Sequence, residues 1–528
     1  SLVLRMGGQD HNLGSAYWTM LRCPLLQRLH SEVQPTISSS HPFILLLNGK
    51  LLGLYYFRER IDRYYLEENF GIMDADLIKS IWVWSGENVE GDREHWEQTF
   101  MFFKMNDLGI PENMAIADQL INIENFTDHY IFNMFGANWD WPQNNVYKFR
   151  NRENNGKWHW VMWDVDAIFA RSSGEAKYPN WNSMEWVTRD EVRPDLNSSD
   201  TPNLLWSTVM FRSLLRNAGY RQYFINRFAD MLNTTLHYDH IHDVLDSLTV
   251  VIEPDYHIEA QRWGVTKERW LQNIDRMKNY VIERRGFMQR HIRDYFGIGN
   301  IADMTIDPQP RDFGFVKVNT IVPDEYPWTG TYFKGLPFPV IAKPQPGNRF
   351  VRWDGDISDT SDSLMITLNG DLTISPIFEI NTSYDNIVIN EINYNSSSDH
   401  DSEDWIELYN HSYHEVDLSG WIFTDSDDSH AFELPAQTTI MPGEYLVLVN
   451  DSTAFCRFFP MVDNYIGNFD FGLSGGGDVV KLCDSSGTTI DSLMYDDEAP
   501  WPSEADGNGP TLELINPDLD NTLPENWE

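Results

Sequence analysis

The sequence predicts an α+β region followed by two all-β regions. Helical periodicity dominates as far as about residue 300, whereas short alternating strands with polar turns fill the remainder of the chain. The charge is equally uneven: residues 1–300 carry a net −8, residues 301–380 carry −5, and residues 381–528 carry −28 of the total of −41. Because such an asymmetry is typical of separate folded units, we expect domains at 1–300, 301–382 and 383–528.

Composition limits the class of protein. The hydrophobic content of 41% and the 20 Trp residues supply material for cores, so the acidity belongs to folded domains. A net charge of −41 excludes a general nucleic-acid binder. Three cysteines are too few for a disulfide framework, although Cys456 and Cys483 could pair. No apolar run is long enough for a transmembrane segment, and the start at Ser1 inside a strand-like run leads us to expect a fragment truncated at its N-terminus.

The first predicted elements are a hairpin and a helix. Two apolar runs, Phe43 to Leu47 and Leu51 to Phe57, are joined by Asn48-Gly49, which predicts a tight β-hairpin. From Leu120 to Met134 the apolar positions recur at three and four residues, which predicts one amphipathic helix.

Later elements follow the same reasoning. The run WHWVMWDVDAIF, residues 158–169, predicts a buried strand that ends in two aspartates. Helical patterns cover Leu204 to Leu236 and about His240 to Phe296. From Ile301 onward short strands repeat at 8–15 residue spacing with polar turns, and beyond residue 381 this alternation predicts a β-sandwich.

The segment NWDWPQNNVYKFR, residues 138–150, carries the pattern with the most chemistry. It places Asp140, Asn144 and Asn145 in a loop between a helix and a strand, and Asp164 and Asp166 follow where the next strand ends. Carboxylate and amide oxygens are ligands for Mg²⁺, and an Asp, an Asn four or five residues later and a second Asp after a strand is the order used in phosphoryl transfer. The alternative is that these are turn residues and solvated strand ends.

Six segments, taken together, resemble the CotH family of atypical protein kinases, named for spore-coat protein H. They cover nearly all of residues 1–300 in the family's order: LRMGGQDHN, LLLNGKLLGLYYFRERID, IENFTDHYIFNMFGANWDWPQNN, GKWHWVMWDVDAIF, LLRNAGYRQYFINRFADMLNTTL and EAQRWG. The resemblance implies an atypical protein-kinase-like domain that transfers phosphate from ATP, with Mg²⁺, to Ser or Thr of secreted or coat proteins.

Carried over to this sequence, the resemblance implies a role for each polar residue of the two segments. Asp140 becomes the catalytic aspartate, Asn145 or Asn144 the amide metal ligand, Asp164 the main metal carboxylate and Asp166 its partner.

Basic residues are needed to bind the ATP phosphates. Arg5 and the run Arg58, Glu59 and Arg60 are the candidates, and the alternative is that they form surface or strand-edge ion pairs. Family members usually have further strands before the LRMGG-like segment, and if those strands belong to the ATP-binding lobe we expect this fragment to bind nucleotide poorly or not at all.

The two β regions also resemble known modules. Residues 313–378 resemble an internalin-type B-repeat, and residues from Ile387 onward resemble a lamin-tail domain, an immunoglobulin-like sandwich. These resemblances imply a secreted or cell-surface bacterial protein, attached to the surface or matrix through its β modules. The acidic loops of the last region offer oxygen ligands for Ca²⁺, and the alternative is a hydrated acidic surface.

Two further functions stay open at this point. A non-catalytic surface or matrix protein could keep the kinase-like shape as a binding scaffold. A glycoside hydrolase would use two carboxylates beside aromatic residues, which the Trp content permits, but no paired-carboxylate motif requires it.

Overall fold

The computed structural model describes residues 2–6, 10–11, 17–80, 84–169, 178–190, 205–345, 348–380, 387–412, 414–427, 429–517 and 519–528. Its first 300 residues contain a three-stranded and a four-stranded antiparallel sheet. The first sheet, in the order β1-β3-β2, consists of β1 (Leu2–Arg5), β2 (Ser40–Leu47) and β3 (Lys50–Glu59). The second, in the order β5-β4-β6-β7, consists of β4 (Ala75–Ser80), β5 (Glu87–Glu90), β6 (Val146–Asn151) and β7 (His159–Val161).

The β2-β3 hairpin confirms the predicted turn. Asn48 and Gly49 have φ values of 51° and 72°, the left-handed conformation that a two-residue hairpin turn requires. On β3, Gly53 has a φ of 105°, and a Cβ there would overlap Oε1 of Glu259. That oxygen accepts the backbone N–H of Leu54 at 2.5 Å, so the missing side chain lets a helix approach the strand.

Helices make up most of the remaining first region. They are α1 (Arg22–Ser31), α2 (Arg63–Phe70), α3 (Glu94–Met105), α4 (Pro111–Leu120), α5 (Ile123–Phe135), α6 (Ser183–Thr188), α7 (Val209–Leu214), α8 (Ala218–Asn233), α9 (Tyr238–Ile252), α10 (Tyr256–Trp263) and α11 (Lys267–Phe296).

Several predicted helices are interrupted. The helix predicted from Leu120 to Met134 is divided between α4 and α5, because Ile121 is extended and Asn122 caps α5 by accepting the N–H of Asn125. The pattern from His240 to Phe296 is divided into α9, α10 and α11, with Pro254 in the first break and Gly264, at φ 67°, after α10.

The second region forms two sheets that pack against the first. Their orders are β10-β8-β14-β12 and β13-β11-β9, from β8 (Ile301–Ile306), β9 (Gly314–Val318), β10 (Trp328–Phe333), β11 (Pro337–Pro344), β12 (Asn348–Gly355), β13 (Ser363–Thr367) and β14 (Leu372–Ile380). One buried hydrophobic cluster has members from Trp18 to Phe378, so helices and β module share a core, and a smaller separate cluster lies around Ile61, Leu77 and Val161. The predicted boundaries at 300 and 382 stay predictions.

The third region is an all-β sandwich with its own core, formed by buried residues between Ile387 and Trp527. Its larger sheets have the orders β22-β21-β16-β15-β25 and β19-β18-β23-β24, and β17 pairs with β20. The elements are β15 (Ile387–Asn393), β16 (Trp405–Asn410), β17 (Val416–Asp417), β18 (Ile422–Thr424), β19 (Phe432–Glu433), β20 (Thr439–Ile440), β21 (Tyr445–Val449), α12 (Ser452–Phe458), β22 (Tyr465–Gly467), β23 (Asp478–Cys483), β24 (Thr489–Tyr495) and β25 (Leu512–Glu513).

Two sequence expectations are settled by this arrangement. Cys23, Cys456 and Cys483 are all free, so the suggested pairing of Cys456 with Cys483 is wrong. Among the described helices, none has the length and apolar character needed to cross a membrane.

Candidate active site

Asp140 lies in the loop that connects α5 to β6. Its side chain is buried, and its two carboxylate oxygens accept hydrogen bonds from Nδ2 of Asn144 at 3.1 Å and Nδ2 of Asn145 at 2.9 Å. Asn138 Oδ1 in turn accepts the backbone N–H of Asp140 at 3.3 Å. The loop therefore holds one carboxylate in a fixed orientation, and the three polar residues predicted together are in contact.

The amide oxygens of the two asparagines point away from Asp140, because their nitrogens are the donors to it. Oδ1 of Asn144 is buried without a hydrogen-bond partner. A buried amide oxygen of this kind is an available ligand for a hard cation. Asn145 has a φ of 56°, a left-handed conformation that Asn tolerates better than most residues.

Asp164 and Asp166 follow β7, as the sequence predicts. Strands β6 and β7 are antiparallel with Tyr147 opposite Val161, so the start of β6 and the end of β7 lie at the same end of the sheet. Asn145 directly precedes β6, which brings both predicted segments to this sheet end. The backbone N–H of Phe169 also donates to the carbonyl of Gly136 at 3.0 Å and connects the two loops directly.

Arg5 joins these carboxylates to the other sheet. Its Nη2 forms ion pairs with Oδ1 of Asp164 and, at 3.3 Å, with Oδ2 of Asp166. Asp164 has a φ of 52°, so its backbone is also left-handed at this contact. Arg5 was predicted to bind the cofactor, whereas here it neutralises both carboxylates predicted to bind the metal.

A buried ion pair that the sequence did not reveal supports the segment after β7, which contains Asp164 and Asp166. Asp10 and Arg22 are each 1% exposed and form a salt bridge. Nε of Arg22 also donates to the carbonyls of Ile168 at 2.8 Å and Phe169 at 3.2 Å. Asp10 lies in the LRMGGQDHN segment, but only the fold shows that Asp10, through Arg22, is linked to the end of the aspartate loop, residues 162–169.

A cavity of about 270 Å³ lies beside Arg5, between the two sheets. It brings together all four residues that were predicted to bind the cofactor, and a fourth cation, Lys79, also reaches it. The lining consists of Val3, Arg5, Arg58, Glu59, Arg60, Ile61, Lys79, Tyr147 and Trp163. Four cations against one carboxylate make this cavity locally positive in an acidic protein, as an anionic ligand requires.

Arg58 is the most deeply buried of these cations, with 3% exposure. Its Nη1 donates to Sγ of Cys23 at 2.9 Å, and its Nε has no hydrogen-bond partner. Burial raises the pKa of the Cys23 thiol, although Arg58 acts in the opposite direction. A buried guanidinium beside a thiol lacks the compensation that a carboxylate would give, so an anion in the cavity would stabilise it.

Glu59 and Arg60, which follow Arg58 in the sequence, have different environments. Glu59 accepts the backbone N–H of Ser39 at 2.9 Å and Nδ2 of Asn69 at 3.3 Å, so it ties the strand end to its neighbours. The Arg60 side chain is 67% exposed and 4.0 Å from Asp62, so it is largely solvated where it lines the cavity.

Lys79 is the residue that sequence reasoning missed. It lies on β4, and its Nζ is 4.8 Å from the ring centre of Trp163 and 5.5 Å from that of Tyr147. No local signal marks it, because its position at the cavity depends on residues of β6 and of the segment after β7.

The residues present fit a divalent cation that keeps part of its own water shell. Mg²⁺ is usually held by one or two carboxylates together with substrate phosphates, and Asp164 and Asp166 with the amide oxygen of Asn144 meet that description. Within the described ranges, no group of three or more His, Cys, Asp and Glu side chains is arranged to hold a metal ion.

That finding also bears on the Ca²⁺ expected for the acidic loops. Two of their carboxylates accept hydrogen bonds from backbone N–H groups: Asp404 from Leu473, 69 positions away, at 2.7 Å, and Asp496 from Glu498, two positions away, at 2.9 Å. Asp428, part of one of these loops, lies outside the described residues. Binding of Ca²⁺ by these loops stays a prediction.

Comparison with known families agrees with this geometry. The family described as CotH kinase protein matches residues 6–288, which contain every predicted site residue except Arg5. The chain belongs to the CotH kinase family. A second family, the Lamin Tail Domain, matches residues 381–497, in the third region. The CotH-type region is thus kinase-like, and the sandwich is of the lamin-tail type, while neither match covers the β module between them.

Other comparisons add little to the CotH assignment. No curated protein matches the chain. Among solved structures, a DUF4876 family protein from Bacteroides thetaiotaomicron matches with 11% identity, over 38% of this chain and 78% of that one, at a TM-score of 0.20. A similarity with so low a TM-score does not support a conclusion about the structure.

Proposed function

We propose that this CotH family member is a protein kinase that transfers the terminal phosphate of ATP, with Mg²⁺, to a Ser or Thr hydroxyl of a protein substrate. The observation that supports this most is the contact of Arg5 with Asp164 and Asp166, because Arg5 also lines the positive cavity. The cations that we propose for phosphate binding therefore adjoin the carboxylates that we propose for metal binding.

The chemistry assigned to each residue follows from its surroundings. Asp140, oriented by Asn144 and Asn145, accepts the proton of the attacking hydroxyl as the new oxygen–phosphorus bond forms and the bond to ADP breaks. Asp164, Asp166 and the amide oxygen of Asn144 would hold Mg²⁺, which would supply neutralisation of the phosphate charge. Arg58, Arg60 and Lys79 line the cavity and would contact the phosphates there.

We extend the proposal to the setting of the reaction. The sandwich carries −28 of the net charge with only Arg457 and Lys481 as basic residues, a surface suited to a secreted or cell-surface protein. Attachment to the surface or matrix through the β modules belongs to the same proposal.

The test is ³²P transfer from labelled ATP, with Mg²⁺, to the protein itself and to dephosphorylated casein. We expect Asp140→Asn and Asp164→Asn to lose activity by about 100-fold or more, because each removes a group that acts on the reacting atoms. The matched control is Asp118→Asn, an exposed aspartate of α4 paired only on the surface with Lys157.

If both site variants stay folded and label casein as well as wild type, the kinase proposal is wrong. If wild type binds ATP but labels nothing, a non-catalytic binding protein with a kinase-like scaffold becomes the better assignment.

A further inference from the structure

Arg5 lies where a metal ion would have to bind. A single nitrogen, Nη2, contacts one oxygen from each of Asp164 and Asp166, so its positive charge lies between the two carboxylates. The side chains of Arg5 and the two aspartates are 24%, 14% and 5% exposed, so water screens the three charges only weakly.

The guanidinium of Arg5 carries a full positive charge, because arginine is not deprotonated in proteins. Two carboxylates that share one cation cannot offer the same oxygens to a second cation without losing the first.

Arg5 also lines the cavity that contains Arg58 and Arg60. An anion there would attract Arg5 away from the aspartates, since the cavity lies next to the ion pairs. Arg5 thus has two alternative partners within reach of one side chain: the carboxylates on one side and a bound anion on the other.

We propose that Arg5 is an internal counter-cation, which occupies the divalent-cation position between Asp164 and Asp166 and must leave before these carboxylates can bind metal. This inference rests on the proposed function for the identity of the metal site. It makes metal binding weak in the free protein and ties it to the arrival of an anion in the cavity.

A purely structural role for Arg5 makes a different prediction. If the ion pairs serve only to join β1 to the aspartate loop, removing them loosens the loop and leaves metal affinity unchanged or lower. If Arg5 competes with metal, removing it raises metal affinity.

The experiment measures Mn²⁺ binding to the full chain by electron paramagnetic resonance of the free ion, with no nucleotide present. We expect Arg5→Gln to bind Mn²⁺ with a Kd about tenfold or more lower than wild type, since a competing charge in contact with both ligands is removed. Arg5→Met serves as a second variant, and circular dichroism checks that each is folded.

Arg60→Gln is the matched control. It removes one positive charge from the same cavity but from a side chain paired with Asp62, at 4.0 Å, and not with the aspartates of the loop. The proposal predicts a gain for Arg5→Gln alone, and adding Asp164→Asn to Arg5→Gln should abolish that gain.

Equal Mn²⁺ affinity in wild type and both folded Arg5 variants would overturn the proposal. Equal gains in Arg5→Gln and Arg60→Gln would also overturn it, because they would reflect only the change in overall charge. A protein without phosphotransfer activity that still gains Mn²⁺ affinity on loss of Arg5 would disprove the proposed kinase function and leave this inference standing.

Discussion

Lys148 is a buried lysine in a largely apolar environment. It is buried on β6, where Nζ donates to Oγ of Ser80 at 2.6 Å and lies 3.9 Å from the ring centre of Trp96. Burial lowers the pKa of Lys148 to about 7. A small cavity of about 40 Å³, lined mainly by aromatic and apolar side chains, adjoins it. The folded protein therefore binds this proton much more weakly than the unfolded chain does.

Lys148→Met should stabilise the protein below pH 7. Between about pH 7 and 10.5, Lys148 is protonated in the unfolded chain and largely neutral in the folded protein. The free energy of unfolding of wild type therefore rises with pH through this window, and the cost of burying Lys148 is greatest below pH 7. At pH 6 we expect a gain of about 1–3 kcal/mol in the free energy of unfolding, and at pH 10 a much smaller difference.

Urea unfolding at both pH values measures this effect. Lys157→Met, at the exposed turn between β6 and β7, is the control and should show no such dependence. A variant of Lys148 that is less stable than wild type at pH 6 would show that its bond to Ser80 outweighs the cost of burial.

Residues close in sequence were predictable, and contacts between distant ones were not. Asp140, Asn144 and Asn145 span six positions of one loop, so their spacing already indicated that they meet. Arg5 and Asp166 are separated by 161 positions, and no periodicity reports such a contact. The sequence therefore predicted that the three polar residues of this loop lie together, but it assigned Arg5 to the cofactor and gave no sign of its contacts with Asp164 and Asp166.

At the scale of single elements, two glycines differ in whether their positions could accommodate a side chain. Gly53 on β3 has a φ of 105° and no room for a Cβ beside Glu259, whereas Gly286 lies exposed inside α11 with nothing within 4 Å of an added Cβ. We expect Gly53→Ala to destabilise the protein by about 1–3 kcal/mol and Gly286→Ala to stabilise it by about 0.5–1 kcal/mol.

Thermal unfolding of the two glycine variants against wild type is the measurement. If Gly53→Ala melts at the same temperature as wild type, α10 can move away from β3 at no cost in stability.

The larger sheet of the sandwich carries a row of glutamates. Glu513 lies opposite Glu391, and Glu391 lies opposite Glu407 on the next strand. Glu528 exchanges both backbone hydrogen bonds with Glu513, at 3.0 and 2.9 Å, and extends the row to four. Opposed residues of antiparallel strands share one face, so these like charges repel each other.

Burial, together with Glu391 and Glu513, raises the pKa of Glu407 to about 7, against the opposing effect of its bond from Asn390. The folded sandwich binds this proton more tightly than the unfolded chain. The contribution of protonated Glu407 to the free energy of unfolding is therefore complete below about pH 4.5, and it is lost as the pH rises to about 7.

Glu407→Gln should raise the melting temperature of the sandwich at pH 8 relative to wild type and leave little difference at pH 4.5. Calorimetry of the full chain measures this, with Glu444→Gln, an exposed glutamate at a turn, as control. The same shift at both pH values would mean that repulsion in the row has no part in the effect.

Helix boundaries illustrate what sequence patterns leave undetermined. Hydrophobic periodicity from Leu120 to Met134 continues across the break between α4 and α5, because both helices bury faces in one core. The break depends on Asn122, whose side chain caps the second helix, a local competition that an apolar pattern does not record. The Asn48-Gly49 hairpin, in contrast, was predictable because its turn alone specifies the geometry.

At the scale of the whole molecule, Asp230 of α8 connects the kinase-like helices to the β module. It is fully buried, and its carboxylate accepts hydrogen bonds from Tyr332 at 2.7 Å, Asn319 at 2.5 Å and the hydroxyl of Thr320 at 2.6 Å. Burial raises the pKa of Asp230 to about 6 in spite of these donors. Its removal would leave several donors buried without an acceptor.

We therefore expect two calorimetric transitions, one for residues 1–380 and one for the sandwich, whose cores are separate. Asp230→Ala should lower the first transition strongly, by about 3–5 kcal/mol in unfolding free energy, and leave unchanged the transition that Glu407→Gln moves. Separate melting of the helices and the β module would contradict a shared core.

The shared core also determines where the chain can be divided. Ending the protein at residue 300, as the change from helices to strands suggests, would expose the apolar face of α8 that packs on β10 and would remove the three side chains that donate hydrogen bonds to Asp230. Limited proteolysis should accordingly release a fragment that ends after residue 380 and no stable fragment that ends near 300. Homologous proteins without an equivalent of this module would need another apolar surface against α8.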